Sequence, residues 1–398
     1  MRIELLKTDT CWTSYQFLYA KASFVSISTE LSGIQNVYLY TYKELRVATN
    51  HFSLANKIGE GGFGLVYKGR LKNGCVAAIK VLSAGSKQGV REFLTEIKVI
   101  SEVEHENLVK LYGCCVEGNH RILVYGFLEN NSLAQTLLGG GHNSIQFSWQ
   151  IRQKICVGVA RGLAYLHGDV HPHVIHRDIK ASNVLLDKDL TPKISDFGLA
   201  KFIPPNLTHI STHVAGTTGY LAPEYAMRGQ VTRRSDVYSF GVLLLEIVSG
   251  RCNINRRLPP EEQYLLERAW ELHKKGELLR LVDTSLNEES NLEEACSFLK
   301  IGLLCTQDMP KLRPSMSTVV RMLLGEIHVN DQEISKPGIL SLLDSEDIKG
   351  QDYKAEMKNT SCATSSRLGK LDNSSSSSED MTASVATMTF TSIYDRSK

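Results

Sequence analysis

The sequence predicts an α+β fold in which a small, strand-rich lobe is followed by a larger helical lobe. Three observations indicate this fold. Short β-type runs with glycine-bearing turns fill residues 45–128, one helical segment interrupts them, and a mainly helical pattern begins near Ser132. The chain has 398 residues, of which 42% are hydrophobic, so it can bury a large core and is not a wholly disordered chain.

Composition divides the chain into three zones. Residues 1–44 show no clear periodicity and are predicted to be a poorly defined N-terminal extension. The folded domain is predicted to span residues 45–327, with the small lobe at about 45–128 and the large lobe at about 129–327. Residues 328–398 form a tail in which Ser and Thr make up 16 of the last 38 residues. We expect this tail to be disordered, because it can bury too little apolar surface to offset the entropy of ordering.

The predicted elements follow from local patterns. In the small lobe, residues 65–67, 76–81 and 122–125 are β-type runs, and Asn73-Gly74 is a hairpin signal between the first two. Residues 88–102 predict a helix, because apolar residues recur there at intervals of three and four. In the large lobe, the strongest apolar run covers residues 237–248 and is interrupted by polar residues, which favours a helix buried in protein over one buried in lipid.

Charge and cysteine usage exclude several classes of protein. Forty-five Lys and Arg residues against 43 Asp and Glu leave a net charge of +2, which gives no basic field for binding nucleic acid. The nine cysteines are scattered without a CxxC pair, so neither a zinc site nor a disulfide framework is predicted. No apolar stretch reaches the roughly 18 residues of a spanning helix. We expect a cytoplasmic protein, and peripheral association with the cytoplasmic face of the plasma membrane stays open.

Residues 59–64 fit the pattern GxGxxG, which is typical of loops that bind phosphate groups. Alone the pattern is weak, because a dinucleotide-binding motif and an ordinary glycine turn also match it. A dinucleotide-binding motif continues into a helix, whereas here residues 65–68 continue as a strand and Asn73-Gly74 turns the chain back. We therefore predict a phosphate-binding hairpin formed by Ile58, Gly59, Glu60, Gly61, Gly62, Phe63 and Gly64.

Lys80 lies on the strand that follows this hairpin. By itself it would be an ordinary exposed strand residue, but downstream of a phosphate-binding loop it can bind phosphate as a point charge. A buried ammonium needs a carboxylate partner. Glu96 on the predicted helix is the best-placed candidate, with Glu92 and Glu102 as rivals.

Two further segments carry the chemistry of phosphoryl transfer, residues 176–183 (HRDIKASN) and 196–198 (DFG). This reaction needs a carboxylate that orients a hydroxyl, oxygen ligands for Mg²⁺ and a cation near the transferred phosphate. Asp178 can serve as the base, Lys180 as the cation, and Asn183 and Asp196 as metal ligands. Either segment alone would be read as a polar turn, whereas the two in this order, after the glycine loop and Lys80, indicate an active site.

With these motifs and the APE sequence at residues 222–224, the chain resembles the eukaryotic protein kinases. It is more closely similar to the plant receptor-like kinases, including receptor-like cytoplasmic kinases of the Pelle type. Residues 42–45, 48–53, 113–116, 216–224 and 235–241 carry the closer match, and the similarity covers about residues 42–326. The resemblance implies the bilobal kinase fold and an ATP-dependent enzyme of intracellular signalling. The HRDxK form implies transfer of the γ-phosphate of ATP to Ser and Thr hydroxyls of protein substrates.

The resemblance also implies a role for each site residue. Lys80 would contact the α- and β-phosphates and pair with Glu96, while Asn183 and Asp196 would hold Mg²⁺, with Mn²⁺ as an alternative. Asp178 would orient the substrate hydroxyl, and Lys180 would neutralise the γ-phosphate. The adenine ring would lie between Val66, Ala78 and Leu185, bonded by the backbone of Gly126 and Leu128, with Tyr125 behind it. Related kinases mostly carry Glu where this chain has Gly126, which puts the stiffness of this connection in doubt.

Regulation is expected at the segment between DFG and APE. Arg177 is an unpaired cation that could bind a phosphate there. Ser211 and Thr212 are the predicted phosphorylation sites and Thr208 is a weaker candidate, which implies an upstream kinase or receptor. Thr217 is expected to bond Asp178 and Lys180. The resemblance further implies that Asp236 braces the catalytic loop and that Glu224 pairs with Arg313.

Two alternatives stay open at this point. A pseudokinase scaffold would keep the fold without the chemistry, but it would differ at the four positions Lys80, Asp178, Asn183 and Asp196, which are all present. The chain could also be the cytoplasmic part of a transmembrane receptor whose spanning segment a truncation or an alternative transcript start has removed.

Overall fold

The computed structural model describes residues 37–61, 64–82, 87–139, 145–204, 206–286 and 289–338. Most of the predicted N-terminal extension and residues 339–398 of the tail lie outside these ranges. So do Gly62 and Phe63 of the predicted phosphate-binding hairpin.

The small lobe is built on a six-stranded sheet in the order β1-β5-β6-β4-β3-β2. Neighbouring strands are antiparallel, except that β1 runs parallel to β5. Val66 lies opposite Lys80 in the pair β3–β4, and Ala78 lies opposite Tyr125 in the pair β4–β6. Since strand residues two apart share a face, these four side chains lie on the same side of the sheet. The strands are β1 (Tyr38–Leu39), β2 (Lys57–Gly61), β3 (Gly64–Arg70), β4 (Val76–Leu82), β5 (Leu111–Glu117) and β6 (His120–Gly126).

Two helices flank this sheet. Helix α1 (Tyr42–Ala48) packs on its outer face, where Leu45 is fully buried among aliphatic residues of the strands. Helix α2 (Lys87–Ile100) lies on the inner face and buries Phe93 and Ile97 completely. The helix predicted at 88–102 is therefore present, and it ends two residues earlier than expected.

The large lobe is mainly helical, as the sequence predicts. In the described part of this lobe, three short strand pairs connect the helices: β7–β10, β8–β9 and β11–β12. They lie next to the segments whose motifs the sequence analysis identified. The helices are α3 (Leu133–Thr136), α4 (Trp149–Gly168), α5 (Pro223–Arg228), α6 (Arg233–Ser249), α7 (Leu265–Lys274), α8 (Glu289–Cys305) and α9 (Met316–Leu323). The strands are β7 (His173–Ile175), β8 (Val184–Leu186), β9 (Pro192–Ile194), β10 (Lys201–Ile203), β11 (Ile210–Ser211) and β12 (Gln230–Val231).

Helix α6 is the centre of the large lobe. A capping box between Thr232 and Ser235 starts it, and Gly250 ends it in the left-handed conformation with φ 64°. Residues 235–249 are buried without exception, so this apolar run forms a helix enclosed by protein, as predicted. Among the described residues, no helix has the length and apolar character needed to cross a bilayer.

The structure differs from the prediction at the start of the tail. Residues 328–338, which composition assigns to the disordered tail, pack against the large lobe. Ile334 is only 8% exposed and joins the main hydrophobic core, which provides the apolar anchor that the rest of the tail lacks.

Candidate active site

Lys80 reaches from β4 to two carboxylates in the interior. Its Nζ lies 3.1 Å from Oε2 of Glu96 on α2 and 3.2 Å from Oδ1 of Asp196. Burial alone would lower the pKa of the Lys80 ammonium, but the charges of Asp196 and Glu96 outweigh burial and raise it. The ammonium therefore stays charged and links the two lobes. Of the three carboxylates considered from the sequence, Glu96 is bound to Lys80, whereas Glu102 is exposed.

Tyr125 holds the same glutamate from the strand β6. Its hydroxyl donates a hydrogen bond to Oε1 of Glu96, and both side chains are buried. Burial raises the pKa of the Tyr125 hydroxyl, and the neighbouring carboxylate raises it further, so it remains a donor. The family resemblance implies that Tyr125 lies at the back of the adenine pocket, but it does not predict this bond. The sequence pattern of β6 does not determine which side chain of another element Tyr125 contacts.

Asp178 lies at the centre of a buried polar network. Its Oδ1 accepts a hydrogen bond of 2.7 Å from Oγ1 of Thr217, and its Oδ2 lies 2.8 Å from Nζ of Lys180. Lys180 in turn donates to Oγ1 of Thr217 at 2.7 Å, which closes a triangle of three side chains. Asn183 adds a bond of 3.0 Å from Nδ2 to Oδ2 of Asp178. The carboxylate is thus fixed in orientation, as a base that must align a hydroxyl requires.

Asp236 on α6 anchors the loop that carries this network. Its carboxylate accepts the backbone N–H groups of His176 at 2.8 Å and Arg177 at 2.9 Å, and His167 lies 2.9 Å away. Burial would raise the pKa of Asp236, but these hydrogen bonds and the histidines lower it overall. The two backbone bonds hold Arg177 in a left-handed conformation of φ 72°, which is strained for a residue other than glycine.

The hairpin β8–β9 brings Asn183 next to Ser195, the residue that precedes Asp196. Val184 pairs with Ile194 in this hairpin, so the flanking residues Asn183 and Ser195 lie opposite each other. The N–H and the Oγ of Ser195 both donate to the Asn183 carbonyl. The side-chain Oδ1 of Asn183 is buried and has no hydrogen-bond partner in the described part of the protein. A buried oxygen without a partner beside an aspartate fits a divalent cation. Asn183 and Asp196 therefore suit an ion that takes its remaining ligands from phosphate and water.

A cleft between the lobes lies beside these groups. It opens to solvent, and the empty space in it, open solvent included, amounts to about 760 Å³. Asp196 and Lys80 line it, and its walls are mostly apolar, as expected for a ring-binding site. The predicted residues that line it are Ile58, Gly59, Val66, Ala78, Tyr125, Gly126, Leu128 and Leu185, and the sequence did not indicate Val109, Asn131, Ser132 and Gln135. In the hairpin, Glu60 is exposed and Gly61 pairs with Gly64.

The segment between DFG and APE carries the predicted regulatory residues. Ser211 is exposed on β11, and Thr212 donates its N–H to the carbonyl of Gly229. Arg177 donates to the carbonyls of Leu199 and His213 at 2.9 Å, and in the described ranges it has no carboxylate partner. Burial lowers the pKa of Lys201, and the cations Arg177 and Arg91 lower it further. Arg177, which the sequence predicts to be an unpaired cation, and Arg91 therefore both lie near Lys201.

The segment that follows is held against the catalytic loop and the large lobe. At Gly216, with φ 130°, a Cβ atom would lie 2.9 Å from the carbonyl oxygen of Arg177, so the approach to the catalytic loop requires glycine. Farther on, Arg313 forms a two-bonded ion pair with Glu224, with both N–O distances 2.8 Å. Arg313 is 1% exposed. The sequence-derived pairing of these two residues is therefore present in the structure.

The family follows from a comparison with known proteins. Residues 52–323 match the model of the protein kinase domain. Because this match covers more than half of the chain, the chain belongs to the protein kinase family.

Individual relatives specify the family further. The chain is 69% identical to Cold-responsive protein kinase 1 of Arabidopsis thaliana over 317 residues, which cover 79% of this chain and 81% of that protein. It is 56% and 54% identical to two probable leucine-rich repeat receptor-like serine/threonine-protein kinases of the same plant, over 76% and 78% of this chain. The chain spans only 29% and 30% of those two proteins.

These findings confirm the predicted fold, the plant receptor-like kinase family and the assignment as a protein serine/threonine kinase that uses ATP and a divalent metal. The four groups that a pseudokinase would lack are present in the sequence, and two of them, Lys80 and Asp196, line the cleft. Lys80 and Asp196 are in direct contact, and Asn183 bonds Asp178. The predicted domain limits and the roles of single residues remain predictions.

Proposed function

We propose that this site transfers the γ-phosphate of ATP to a Ser or Thr hydroxyl of a protein substrate, with Asp178 as the base and Lys180 as the cation at the γ-phosphate. The observation that carries the proposal is the carboxylate of Asp178, which Thr217 and Lys180 hold in a fixed orientation. The cleft lined by Lys80 and Asp196 supports it. This arrangement suits a reaction whose catalysis rests on positioning and charge stabilisation.

In the proposed reaction, the substrate hydroxyl attacks the γ-phosphorus, its proton passes to Asp178, and the bond between the β-γ bridging oxygen and the γ-phosphorus breaks to release ADP. Thr217 and Lys180 hold Asp178 in the orientation that aligns the hydroxyl. Lys80, kept charged by Glu96 and Asp196, binds the α- and β-phosphates. Mg²⁺, for which Asn183 and Asp196 would provide ligands, neutralises phosphate charge when bound.

Several finer assignments accompany this proposal. An upstream kinase or receptor would phosphorylate Ser211 or Thr212, and the phosphate would pair with Arg177. A cytoplasmic location suits such a kinase. The phosphorylation assignment is supported by the exposure of Ser211 and by the charges of Arg177 and Arg91 near Lys201.

The test compares the wild-type protein with Asp178→Asn in a radiolabelled ATP assay with magnesium and casein. The substitution keeps the size of the side chain but removes the base, so we expect at least a hundredfold loss of turnover. Mass spectrometry of the products should find phosphate on Ser and Thr. The matched control is Asp189→Asn, which makes the same charge change at an exposed position of the same lobe and should leave turnover unchanged. Equal turnover in Asp178→Asn and the wild type would contradict the assignment.

A further inference from the structure

A short segment beyond the matched kinase domain is bonded to the large lobe. We call this segment, residues 334–338, the C-terminal strap. Ser335 donates from its N–H and from its hydroxyl to Oε1 of Gln307, at 3.0 and 2.6 Å. Gly338 N–H donates to the carbonyl of Thr306 at 3.0 Å. The strap therefore holds the loop that follows α8.

The loop held by the strap positions a buried arginine. Arg313 donates from Nε to the carbonyl of Gln307 at 2.7 Å and from Nη2 to the carbonyl of Asp308 at 3.1 Å. Asp308 N–H in turn donates to the carbonyl of Lys336 in the strap. Arg313 is the partner of Glu224. The strap thus fixes the residues whose carbonyls orient this ion pair.

The strap also contacts the APE segment directly. The Tyr238 hydroxyl on α6 donates to the carbonyl of Gly338 at 2.6 Å, and burial raises the pKa of this hydroxyl, so it stays a donor. A Cβ atom on Gly338 would lie 2.5 Å from Cγ of Pro223, well below the usual contact distance between carbon atoms. The backbone of Gly338 is therefore packed against Pro223, and the approach leaves no room for a side chain.

Pro223 belongs to a segment that begins beside the catalytic base. Thr217 donates to Oδ1 of Asp178 at 2.7 Å, and residues 217–224 lead from it to the end of the APE motif. A substrate hydroxyl aligned by Asp178 lies next to Thr217, so the residues around that hydroxyl meet the segment 217–224. Neither this segment nor the strap contributes a residue to the lining of the nucleotide cleft. A displacement of the segment should therefore affect the protein substrate more than ATP.

We propose that the C-terminal strap positions the segment 217–224 for protein substrates, with Gly338 and Ser335 as positioning residues. The inference rests on the proposed function. Two routes connect the strap to the segment. One passes through the loop after α8 and Arg313 to Glu224, and the other is the direct contact of Gly338 with Pro223. Because a protein interior is close-packed, a shift of the strap is transmitted along both routes.

The first experiment displaces the strap by one methyl group in the full-length protein. Gly338→Ala adds the Cβ atom that meets Pro223, so either the strap or the segment 217–224 must move. We expect the KM for casein to rise at least about threefold and the KM for ATP to stay unchanged. The matched control is Gly168→Ala at the exposed end of α4, where a Cβ atom would meet no neighbouring atom within 4 Å. It should keep both KM values of the wild type.

The KM values separate positioning from a loss of stability. A variant that is only partly folded has a lower apparent kcat, in proportion to its folded fraction, but the folded molecules keep both KM values. Far-ultraviolet circular dichroism measures the folded fraction. An unchanged casein KM in folded Gly338→Ala would overturn the proposal.

The second experiment decides the question if Gly338→Ala does not fold. Tyr238→Phe removes the hydroxyl that binds the Gly338 carbonyl and adds no bulk. It should also raise the casein KM and leave the ATP KM unchanged, and an unchanged casein KM would then overturn the proposal. The wild type separates this inference from the proposed function. If it transfers no phosphate to casein, both are refuted, whereas transfer with an unchanged casein KM in the deciding variant refutes only the role of the strap.

Discussion

At the scale of single residues, Glu246 is a buried carboxylate with neutral partners. The Tyr220 hydroxyl lies 2.7 Å from both of its oxygens, and the Asn253 N–H donates to Oε1 at 2.7 Å. The described residues provide no cation to pair with it. Burial raises the pKa of Glu246 to about 7, although both hydrogen bonds act in the opposite direction. The folded protein therefore binds a proton at this site that the unfolded chain has lost by neutral pH.

The sign of the resulting pH dependence follows from linkage. Because the pKa is raised in the folded state, Glu246 favours folding at low pH, and this contribution is lost as the pH rises from about 4.5 to about 7. We expect Glu246→Gln to remove this pH dependence. The free energy of unfolding of the variant, taken relative to that of the wild type, should therefore rise by about 2 kcal/mol between pH 5.5 and pH 8. Urea titrations at the two pH values measure this difference. A difference that is independent of pH would show that Glu246 does not titrate in this range.

Residues with a fixed spacing in a motif could be predicted from the sequence. Lys80, Asp178, Asn183 and Asp196 fall into this group. Contacts between motifs could not, and the bond from Tyr125 to Glu96 is the clearest case, because it depends on how α2 packs on the sheet. The lack of a hydrogen-bond partner for Oδ1 of Asn183 could not be predicted either, since only packing determines which atoms lack a partner.

At the scale of elements, apolar patterns indicated two of the long helices. Helices α2 and α6 lie where the patterns place them, because each buries a broad apolar surface against the core. The two-residue strand β1 and the segment 327–338 had no such signal. They are fixed by pairing with distant parts of the chain, β1 with β5 and residue 338 with residue 306, which a local pattern does not encode.

The regulatory segment between DFG and APE has a testable consequence at this scale. A phosphate on Ser211 or Thr212 would add a charge of about −1.5 to −2 near the cations Arg177, Arg91 and Lys201 and order the segment. We expect replacement of both Ser211 and Thr212 by Ala to lower turnover at least several-fold in protein activated with ATP, as measured on casein.

The control for this double variant is Thr208→Ala, a hydroxyl that is exposed on the same segment. Its turnover should stay close to that of the wild type. Treatment with phosphatase should lower the activity of the wild type to the level of the double variant and leave the double variant unchanged. Unchanged turnover of the double variant on casein would rule out these two hydroxyls as the activating sites.

At the scale of the whole molecule, the folded body extends past both ends of the matched kinase domain. Residues 37–51 precede the match and 324–338 follow it, and both segments are bonded to the lobe next to them. Tyr40 N–H donates to the Cys114 carbonyl at the edge of the sheet, and Leu45 is buried against its outer face. The small lobe therefore depends on residues that belong partly to the predicted extension.

This dependence can be measured with two substitutions on α1. Leu45 is fully buried, so Leu45→Ala should leave a cavity on the outer face of the sheet that carries Lys80 and lower the free energy of unfolding by about 2–5 kcal/mol. Val47, two residues later, is 66% exposed, and Val47→Ala should change it by no more than about 0.5 kcal/mol. Urea titration with far-ultraviolet circular dichroism compares the two variants. If both have the stability of the wild type, α1 is not part of the stable core, and the small lobe is held together by its strands and α2 alone.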